Sequence, residues 1–372
     1  MLRLPRVAVL LTATALFATA VSAQDWTVVH QGEREYVTFA SLAKFYQFPE
    51  YTRVDGAVSL RSPRRVIRTH TGTSDLFING VRFFTDFPLL ANGGEDLISV
   101  MDVSKIVEPV LRPNKIPNAG KVETVVLDPG HGGTDQGTSN RWGSEKSFAL
   151  DVALSAREQL LRAGYKVEMT RSSDVGLSLE ERVAFANRFP HAVFVSIHFN
   201  SASGGAGVES YALAPAGVVS NAGAEGHAAA NEVQANIGNA HDPQNIALTA
   251  AVHAAVLSHL GAYDRGVRHA RFHVLRNINI PAVLVEGGFL SDPAEGQRVA
   301  TAQYRQQLGA ALASGIQSYD AAVNFRAGGG MLASAKSNLP PHERSITEPL
   351  ERERPALNSP ASEPSISING GD

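Results

Sequence analysis

Hydrophobic and polar positions alternate with a short period between residues 24 and 111. Stretches such as "REYVTF" and "AVSLRS" have the two-residue period of a half-buried strand, and Asn79-Gly80 is a pair typical of a two-residue hairpin turn. The segment "SLAKFYQF" predicts a short helix with Ser41 as its N-cap. We therefore predict a small α+β accessory domain over residues 24–111, followed by a linker over 112–121.

The pattern changes after the linker, where short apolar runs alternate with longer stretches of helical period. Ser178 and Glu181 match a capping box, and Pro293 follows Asp292 at the position of a first helical residue. This alternation predicts an α/β fold for residues 122–322, with a mostly parallel sheet flanked by helices on both faces. The predicted strands are "TVVLD", "YKVEMTR", "AVFVSIH", "GVESYAL" and "AVLVEGG", and the predicted helices include "SFALDVALSAREQLLRAG", "SLEERVAFANRF" and "AQYRQQLGAALASGIQSY".

The two ends of the chain differ from its middle. Residues 1–23 have a basic start, an apolar run and a small-residue site at Val21 and Ala23, the pattern of a cleaved signal peptide. The apolar run is shorter than the ~20 residues of a spanning helix, so we expect export with no transmembrane anchor after cleavage. Residues 323–372 are rich in Pro, Ser and Gly, and this composition predicts a disordered tail.

Composition excludes several classes of partner and of cross-link. The 372 residues have a formal net charge of -3, which gives no indication of a nucleic-acid partner or of a polybasic membrane surface. The chain has no cysteine, so neither disulfides nor a lipid-modified N-terminal cysteine can contribute.

Candidate catalytic side chains follow the predicted strands. His131 comes after "TVVLDPG", His198 ends "AVFVSIH" and Glu286 ends "AVLVE", while Glu145 opens the helix after the first strand. Carboxyl ends of parallel strands meet at one edge of a sheet, which is where ligands bind. Two histidines and a carboxylate, with one position left open, are a usual ligand set for catalytic zinc. On this reasoning Glu145 and Glu286 compete for the third ligand position, and the other would be the general base.

A histidine taken alone is more often structural or solvated than a ligand, and this chain has 12. We interpret His253 and His259 as packed or solvated. His269 and His273 lie near the strand that ends at Glu286, so they are candidates to line a cleft. Four suitable groups at one predicted sheet edge are a much rarer coincidence than any single one.

Six motifs follow one another along the second part of the chain: "LDPGHGGTDQGT", "EKSFALD", "VEMTRSSD", "LEERVAFAN", "FVSIHFN" and "PAVLVEGGFLSD". Taken together, they resemble the amidase_3 family of zinc-dependent N-acetylmuramoyl-L-alanine amidases over about residues 122–319. The resemblance implies that one zinc ion is bound by His131, Glu145 and His198, and that Glu286 is the catalytic glutamate. Arg171 and Arg182 match recurrent arginines of the family, and we interpret them as partners of local carboxylates. Glu209 matches a common glutamate. Phe199 is a departure, because the family usually has His-Ala-Asn where this chain has His198-Phe199-Asn200.

The implied activity is hydrolysis, by zinc-activated water, of the amide between N-acetylmuramic acid and the L-alanine of the peptidoglycan stem peptide. Another zinc-dependent peptidoglycan hydrolase, a carboxypeptidase or a deacetylase, is the alternative, and an inactive wall-binding protein is a third reading. The expected location is the Gram-negative periplasm, otherwise the cell envelope or secretion, with an envelope protein as a candidate activator. The segment from Leu213 to Gln244 is an ordinary loop or a small lid, and its shortness favours the loop.

Overall fold

The computed structural model describes residues 26–221 and 233–325. The predicted signal peptide (1–23) and nearly all of the predicted tail (from 326) lie outside the described residues, as does part of the Leu213–Gln244 segment (222–232). Within the described residues, no helix has the length and apolar character needed to cross a bilayer.

Strands and helices follow the order that the sequence pattern predicts, with several additions. The strands are β1 Val28–Gln31, β2 Arg34–Thr38, β3 Glu50–Val54, β4 Ala57–Arg61, β5 Val66–His70, β6 Asp75–Ile78, β7 Val81–Phe84, β8 Leu90–Asn92, β9 Glu95–Ser99, β10 Thr124–Pro129, β11 Ser139–Asn140, β12 Gly143–Ser144, β13 Lys166–Met169, β14 Ala192–Asn200, β15 Val208–Leu213, β16 Asp264–Ala270 and β17 Ala282–Phe289. The helices are α1 Phe39–Phe45, α2 Val100–Asp102, α3 Glu108–Leu111, α4 Glu145–Arg162, α5 Leu179–Ala186, α6 Asp242–Leu260, α7 His273–Arg276, α8 Pro293–Val299 and α9 Ala302–Val323.

One sheet runs through both parts of the chain, in the order β13-β10-β14-β17-β15-β16-β7-β6-β5-β4-β3. Strands β13, β10, β14 and β17 are parallel neighbours, and β15 is antiparallel to β17 but parallel to β16. The prediction of an α/β fold with a mostly parallel sheet is therefore confirmed for this half. The sheet continues into the hairpins of the N-terminal part through one pairing, Val267 with Phe83. A separate four-stranded sheet has the order β1-β2-β9-β8.

The two halves of the long sheet are covered differently. Helices α4, α6 and α9 pack on one face of the parallel strands, and α5 and α7 pack with a second apolar cluster that includes Phe194 and Leu284. In the N-terminal half, alternate residues of β6 and β7 are buried against a third cluster, and those between them stay partly exposed. This half of the sheet therefore has one open face.

Local signals in the sequence account for several turns and caps. Asn79 and Gly80 have φ of 53° and 86° between β6 and β7, as a two-residue hairpin turn requires. Both hydrogen bonds of the capping box between Ser178 and Glu181 are present at the start of α5. The prediction of Ser41 as an N-cap is wrong, because α1 begins earlier and the Thr38 hydroxyl accepts the backbone N–H of Ser41.

Candidate metal centre and active site

His131, Glu145 and His198 come together at the carboxyl ends of β10 and β14. The His131 Nε2 atom lies 3.0 Å from Glu145 Oε1, and His198 Nδ1 lies 2.9 Å from the same oxygen. One ligand atom from each residue falls within 4.8 Å of the others, and no other such group of three occurs among the described residues. Ligands on a tetrahedral zinc ion with bonds of about 2.1 Å lie about 3.4 Å apart, so these residues fit a zinc ion.

Glycine makes room for this cluster at two positions. A Cβ on Gly130 would lie 2.2 Å from the His198 ring, and one on Gly137 would lie 2.5 Å from Glu145 Oε2 and 2.6 Å from the His131 ring. His131 itself has φ of 57°, a left-handed conformation that is uncommon outside glycine and recurs at functional sites. The Gly-rich loop after β10 is therefore shaped around the three side chains.

Glu145 is held by the backbone as well as by the histidines. The Phe199 N–H donates to its Oε1 at 3.1 Å, and the Thr138 N–H donates to its Oε2 at 2.9 Å. Burial alone would raise the pKa of Glu145, but hydrogen bonds from His131 and His198 lower this pKa below its usual value. The side chain is therefore an anion at neutral pH, which is the form that binds a cation.

Asp135 orients His131, a role that the sequence reasoning did not identify. The His131 Nδ1 atom lies 2.7 Å from Asp135 Oδ2, and this contact orients the ring so that Nε2 faces Glu145 Oε1 at 3.0 Å. Burial tends to lower the pKa of His131, and its contacts with Glu145 and Asp135 raise it overall. The available signal is an aspartate four residues after the histidine inside the same glycine-rich loop.

Glu286 lies beside this cluster, within β17 rather than at its end. It is in register with His198 of β14 on one side and with Glu209 of β15 on the other. Its Oε2 atom is shielded from solvent and has no hydrogen-bond partner among the described residues. Burial, followed by repulsion from Glu145 and Glu209, raises the pKa of Glu286 well above its usual value. Such a carboxyl group takes up a proton more readily than an exposed glutamate does, as a group that transfers protons must.

Glu209 is the centre of a buried polar network behind Glu286. Its Oε1 accepts the Asn200 side-chain amide and the Tyr211 hydroxyl, and its Oε2 accepts Arg265 Nε at 3.1 Å. Phe199 points away from this network into the core, where its ring packs edge-on against Phe148 at 6.2 Å between centroids. The His-Phe-Asn departure from the usual motif therefore changes the core and not the polar wall of the site.

Two arginines fix the backbone that carries His131. Arg182 pairs with the buried Asp128 at 2.6 Å and donates to the carbonyl groups of Pro129 and His131. Arg171 donates to the carbonyl oxygens of Pro129, Gly130 and Lys146. The expectation of carboxylate partners is therefore met by Arg182, whereas Arg171 binds main-chain oxygens.

We expect Arg182→Ala to lower the free energy of unfolding by about 3–5 kcal/mol, because it leaves the Asp128 carboxylate buried without its partner. Urea denaturation measures this loss. Arg162→Ala is the control, since it removes an exposed ion pair with Glu158 and should cost less than about 1 kcal/mol. Equal losses in the two variants would contradict this account of Arg182.

The other histidines within residues 26–221 and 233–325 lie outside the cluster. His253 is buried and bridges the Ser210 hydroxyl and the Asp264 carboxylate, which joins α6 to β15 and β16. His269 is buried against Asp86 at 2.6 Å, and this contact ties β16 to the N-terminal part. His269 therefore does not line the cleft, contrary to the sequence-based expectation.

A mostly parallel sheet that brings two histidines and a glutamate to the carboxyl ends of its strands is typical of metal-dependent hydrolases. Comparison with known protein families identifies the class of hydrolase. Residues 125–318 match the Amidase_3 family, described as N-acetylmuramoyl-L-alanine amidase, and the chain belongs to this family.

Individual relatives match the same part of the chain. The sporulation-specific N-acetylmuramoyl-L-alanine amidase of Bacillus subtilis strain 168 is 30% identical over 195 residues, which are 52% of this chain and 66% of that protein. N-acetylmuramoyl-L-alanine amidase AmiC of Neisseria meningitidis is 34% identical over 225 residues, which are 54% of this chain and 53% of AmiC. The solved catalytic domain of CwlV, an N-acetylmuramoyl-L-alanine amidase from Bacillus (Paenibacillus) polymyxa var. colistinus, is 31% identical, with a TM-score of 0.44. The match covers 53% of this chain and 97% of that solved domain.

Proposed function

We propose that the protein hydrolyses the amide bond between N-acetylmuramic acid and the L-alanine of the peptidoglycan stem peptide. The observation that carries the proposal is the cluster of His131, Glu145 and His198 beside Glu286. The buried Oε2 atom of Glu286 has no hydrogen-bond partner among the described residues. Membership of the amidase family selects this bond among the amides that such a site can hydrolyse.

His131 Nε2, His198 Nδ1 and Glu145 Oε1 would hold the metal ion, and Asp135 would keep the His131 ring oriented toward it. A zinc ion bound there would supply Lewis-acid polarisation of the substrate carbonyl and lower the pKa of its bound water to about 7. The anionic Glu145 and the neutral histidines are the protonation states that such binding needs.

Glu286 would move the proton. Its Oε2 atom accepts a proton from the attacking water, and the same atom returns it to the nitrogen of L-alanine as the C–N bond breaks. Burial and the nearby carboxylates raise the pKa of Glu286, and this favours the protonated form needed for the second step. The products are a glycan strand with a free lactyl carboxylate and a stem peptide with a free amine.

Two alternative functions are weaker. A peptidoglycan carboxypeptidase or deacetylase would use similar residues, but the family match selects the amidase. An inactive wall-binding protein would be expected to lack a ligand or the general base, whereas this chain has all four groups in place.

We also propose peptidoglycan as the substrate in the cell envelope, because the family takes its name from a bond found in that polymer. The export signal, the periplasmic location and an envelope activator remain predictions from the sequence.

Digestion of purified peptidoglycan tests the proposed function. We expect release of intact stem peptides with a free L-alanine amine, detected by mass spectrometry after labelling of new amines. A chelator should lower the rate to background, and added Zn²⁺ should restore it. Release of a terminal D-amino acid or of acetate instead would show that the alternative hydrolases describe the protein better.

A further inference from the structure

The open face of the N-terminal half of the sheet begins directly beside the candidate active site. Glu209 of β15 is in register with Glu286, and Arg268 of β16 is in register with Tyr211 of β15. Beyond β16 comes β7, whose Val81 and Phe83 are buried while Arg82 and Phe84 are partly exposed. Because neighbouring strands lie about 4.8 Å apart, β7 is about 14 Å from β17 across this face.

Three arginines and a phenylalanine form a continuous surface here, which we call the arginine shelf: Arg82, Phe84, Arg265 and Arg268. The Arg268 and Arg82 guanidinium carbons lie 4.0 and 4.5 Å from the centre of the Phe84 ring. Side chains of the arginines are 20–29% exposed, so a ligand can reach them.

The arginine shelf has guanidinium N–H donors that no carboxylate of the described residues uses. Its three guanidinium groups share two carboxylates, with Arg82 against Asp75 at 2.8 Å, and Arg265 and Arg268 against Glu209. Arg265 uses its Nε for Glu209, and its two terminal nitrogens have no hydrogen-bond partner among the described residues. Arg268 gives one further hydrogen bond to the Asn221 carbonyl.

Arg268 is repelled by the positive charges of its neighbours Arg265 and Arg82. Burial lowers the pKa of its guanidinium, the Glu209 carboxylate raises it, and the positive charges of Arg265 and Arg82 lower it further. An additional carboxylate on this surface would relieve that repulsion, so the shelf is complementary to an acidic ligand.

Given the amidase activity proposed above, on which this inference rests, we propose that the arginine shelf binds the carboxylates of the stem peptide while Glu286 faces its first amide bond. The stem peptide carries free carboxylates, whereas the N-acetylated sugars are uncharged. An extended peptide of about four residues spans ~14 Å, which matches the distance from β17 to β7 across the sheet. The N-terminal part of the chain thereby supplies Arg82 and Phe84 to the substrate site.

Two matched substrates test the proposal with the full chain loaded with zinc. One is an N-acetylmuramoyl tetrapeptide with free carboxylates, and the other has the same peptide with its carboxylates converted to carboxamides. The quantity measured is the KM ratio, the KM for the carboxylate form divided by the KM for the carboxamide form. We expect Arg82→Gln to raise this ratio about tenfold, because the variant loses one charged hydrogen bond to the carboxylate. Asp75→Asn frees Arg82 and should shift the same ratio in the opposite direction, a result that general damage to the fold would not give.

Arg68→Gln is the matched control. Arg68 is exposed on the same face of β5, two strands beyond β7, and its side chain makes no ion pair or hydrogen bond among the described residues. Its strand lies about 24 Å from β17 across the sheet, beyond the reach of one stem peptide, and about 10 Å from β7, which is more than one screening length of about 8 Å at physiological salt. We expect its KM ratio to equal that of the wild type.

Failure of the shelf and failure of the amidase function give different results. If the wild type hydrolyses both substrates and Arg82→Gln leaves the KM ratio unchanged, the shelf proposal is wrong while the function stands. If the wild type hydrolyses neither, anisotropy of a labelled free tetrapeptide still reads the shelf, and weaker binding by Arg82→Gln would support it. A glycan strand without peptides serves as a further ligand. If Arg82→Gln and Asp75→Asn weaken its binding equally, the surface binds sugar and the proposal is wrong.

Discussion

Replacement of Glu286 by glutamine should lower kcat on purified peptidoglycan by about 10³-fold, within the range contributed by general acid–base catalysis. Glutamine keeps the shape of the side chain but cannot take a proton from water and give it to the departing nitrogen. Because Glu286 is not among the three clustered donors, zinc content should stay at the wild-type level. Turnover of released stem peptides and metal analysis of the same sample make the two measurements.

The same substitution should leave the folded state as stable as the wild type or more stable when zinc is absent. Glutamine removes a buried carboxyl group that is repelled by Glu145 and Glu209, and this repulsion acts against folding. Glu209→Gln is the matched comparison, since it neutralises the carboxylate that is in register with Glu286 on β15. We expect it to cost less than about tenfold in kcat, because Glu209 acts through Asn200, Tyr211 and Arg265. Full turnover by a zinc-loaded Glu286→Gln variant would remove Glu286 from the mechanism.

Strand-end chemistry made the candidate site predictable from sequence. His131, His198 and Glu286 each follow or end an apolar run, and parallel strands bring their carboxyl ends to one edge whatever the details of packing. Glu145 was harder, since it lies at a helix start, and the residues alone left it in competition with Glu286. The structure brings Glu145 Oε1 within 3.0 Å of a nitrogen of each histidine, and Glu286 is in register with His198 on the neighbouring strand; the roles of ligand and general base stay predictions.

Other parts of the fold depend on contacts that no local pattern carries. The segment "DRGVRHA" forms β16 although it has four charged or basic positions, because folding alone brings their partners to them. Asp264 pairs with His253, Arg265 and Arg268 pair with Glu209, and His269 pairs with Asp86. The single pairing of Val267 with Phe83 joins the two halves of the sheet over a separation of more than 180 residues. Ser41 shows the same limit at short range, since Thr38 is also a favoured cap residue and α1 begins directly after it.

Removal of the Glu145 carboxylate should abolish stable zinc binding. Its Oε1 atom lies 3.0 and 2.9 Å from the two histidine nitrogens, so Glu145→Ala leaves two ligands and no anion at the site. We expect zinc affinity to fall by more than about 100-fold, beyond the 10–100-fold typical of a changed partner of a ligand, and hydrolysis to fall with it. Asp135→Asn is the graded control, because it alters only the group that orients His131 and should stay within that smaller range. Competition with a fluorescent chelator measures both affinities. Wild-type affinity in Glu145→Ala would show that the metal is bound by other residues, and the assignment of the cluster as the zinc site would then be wrong.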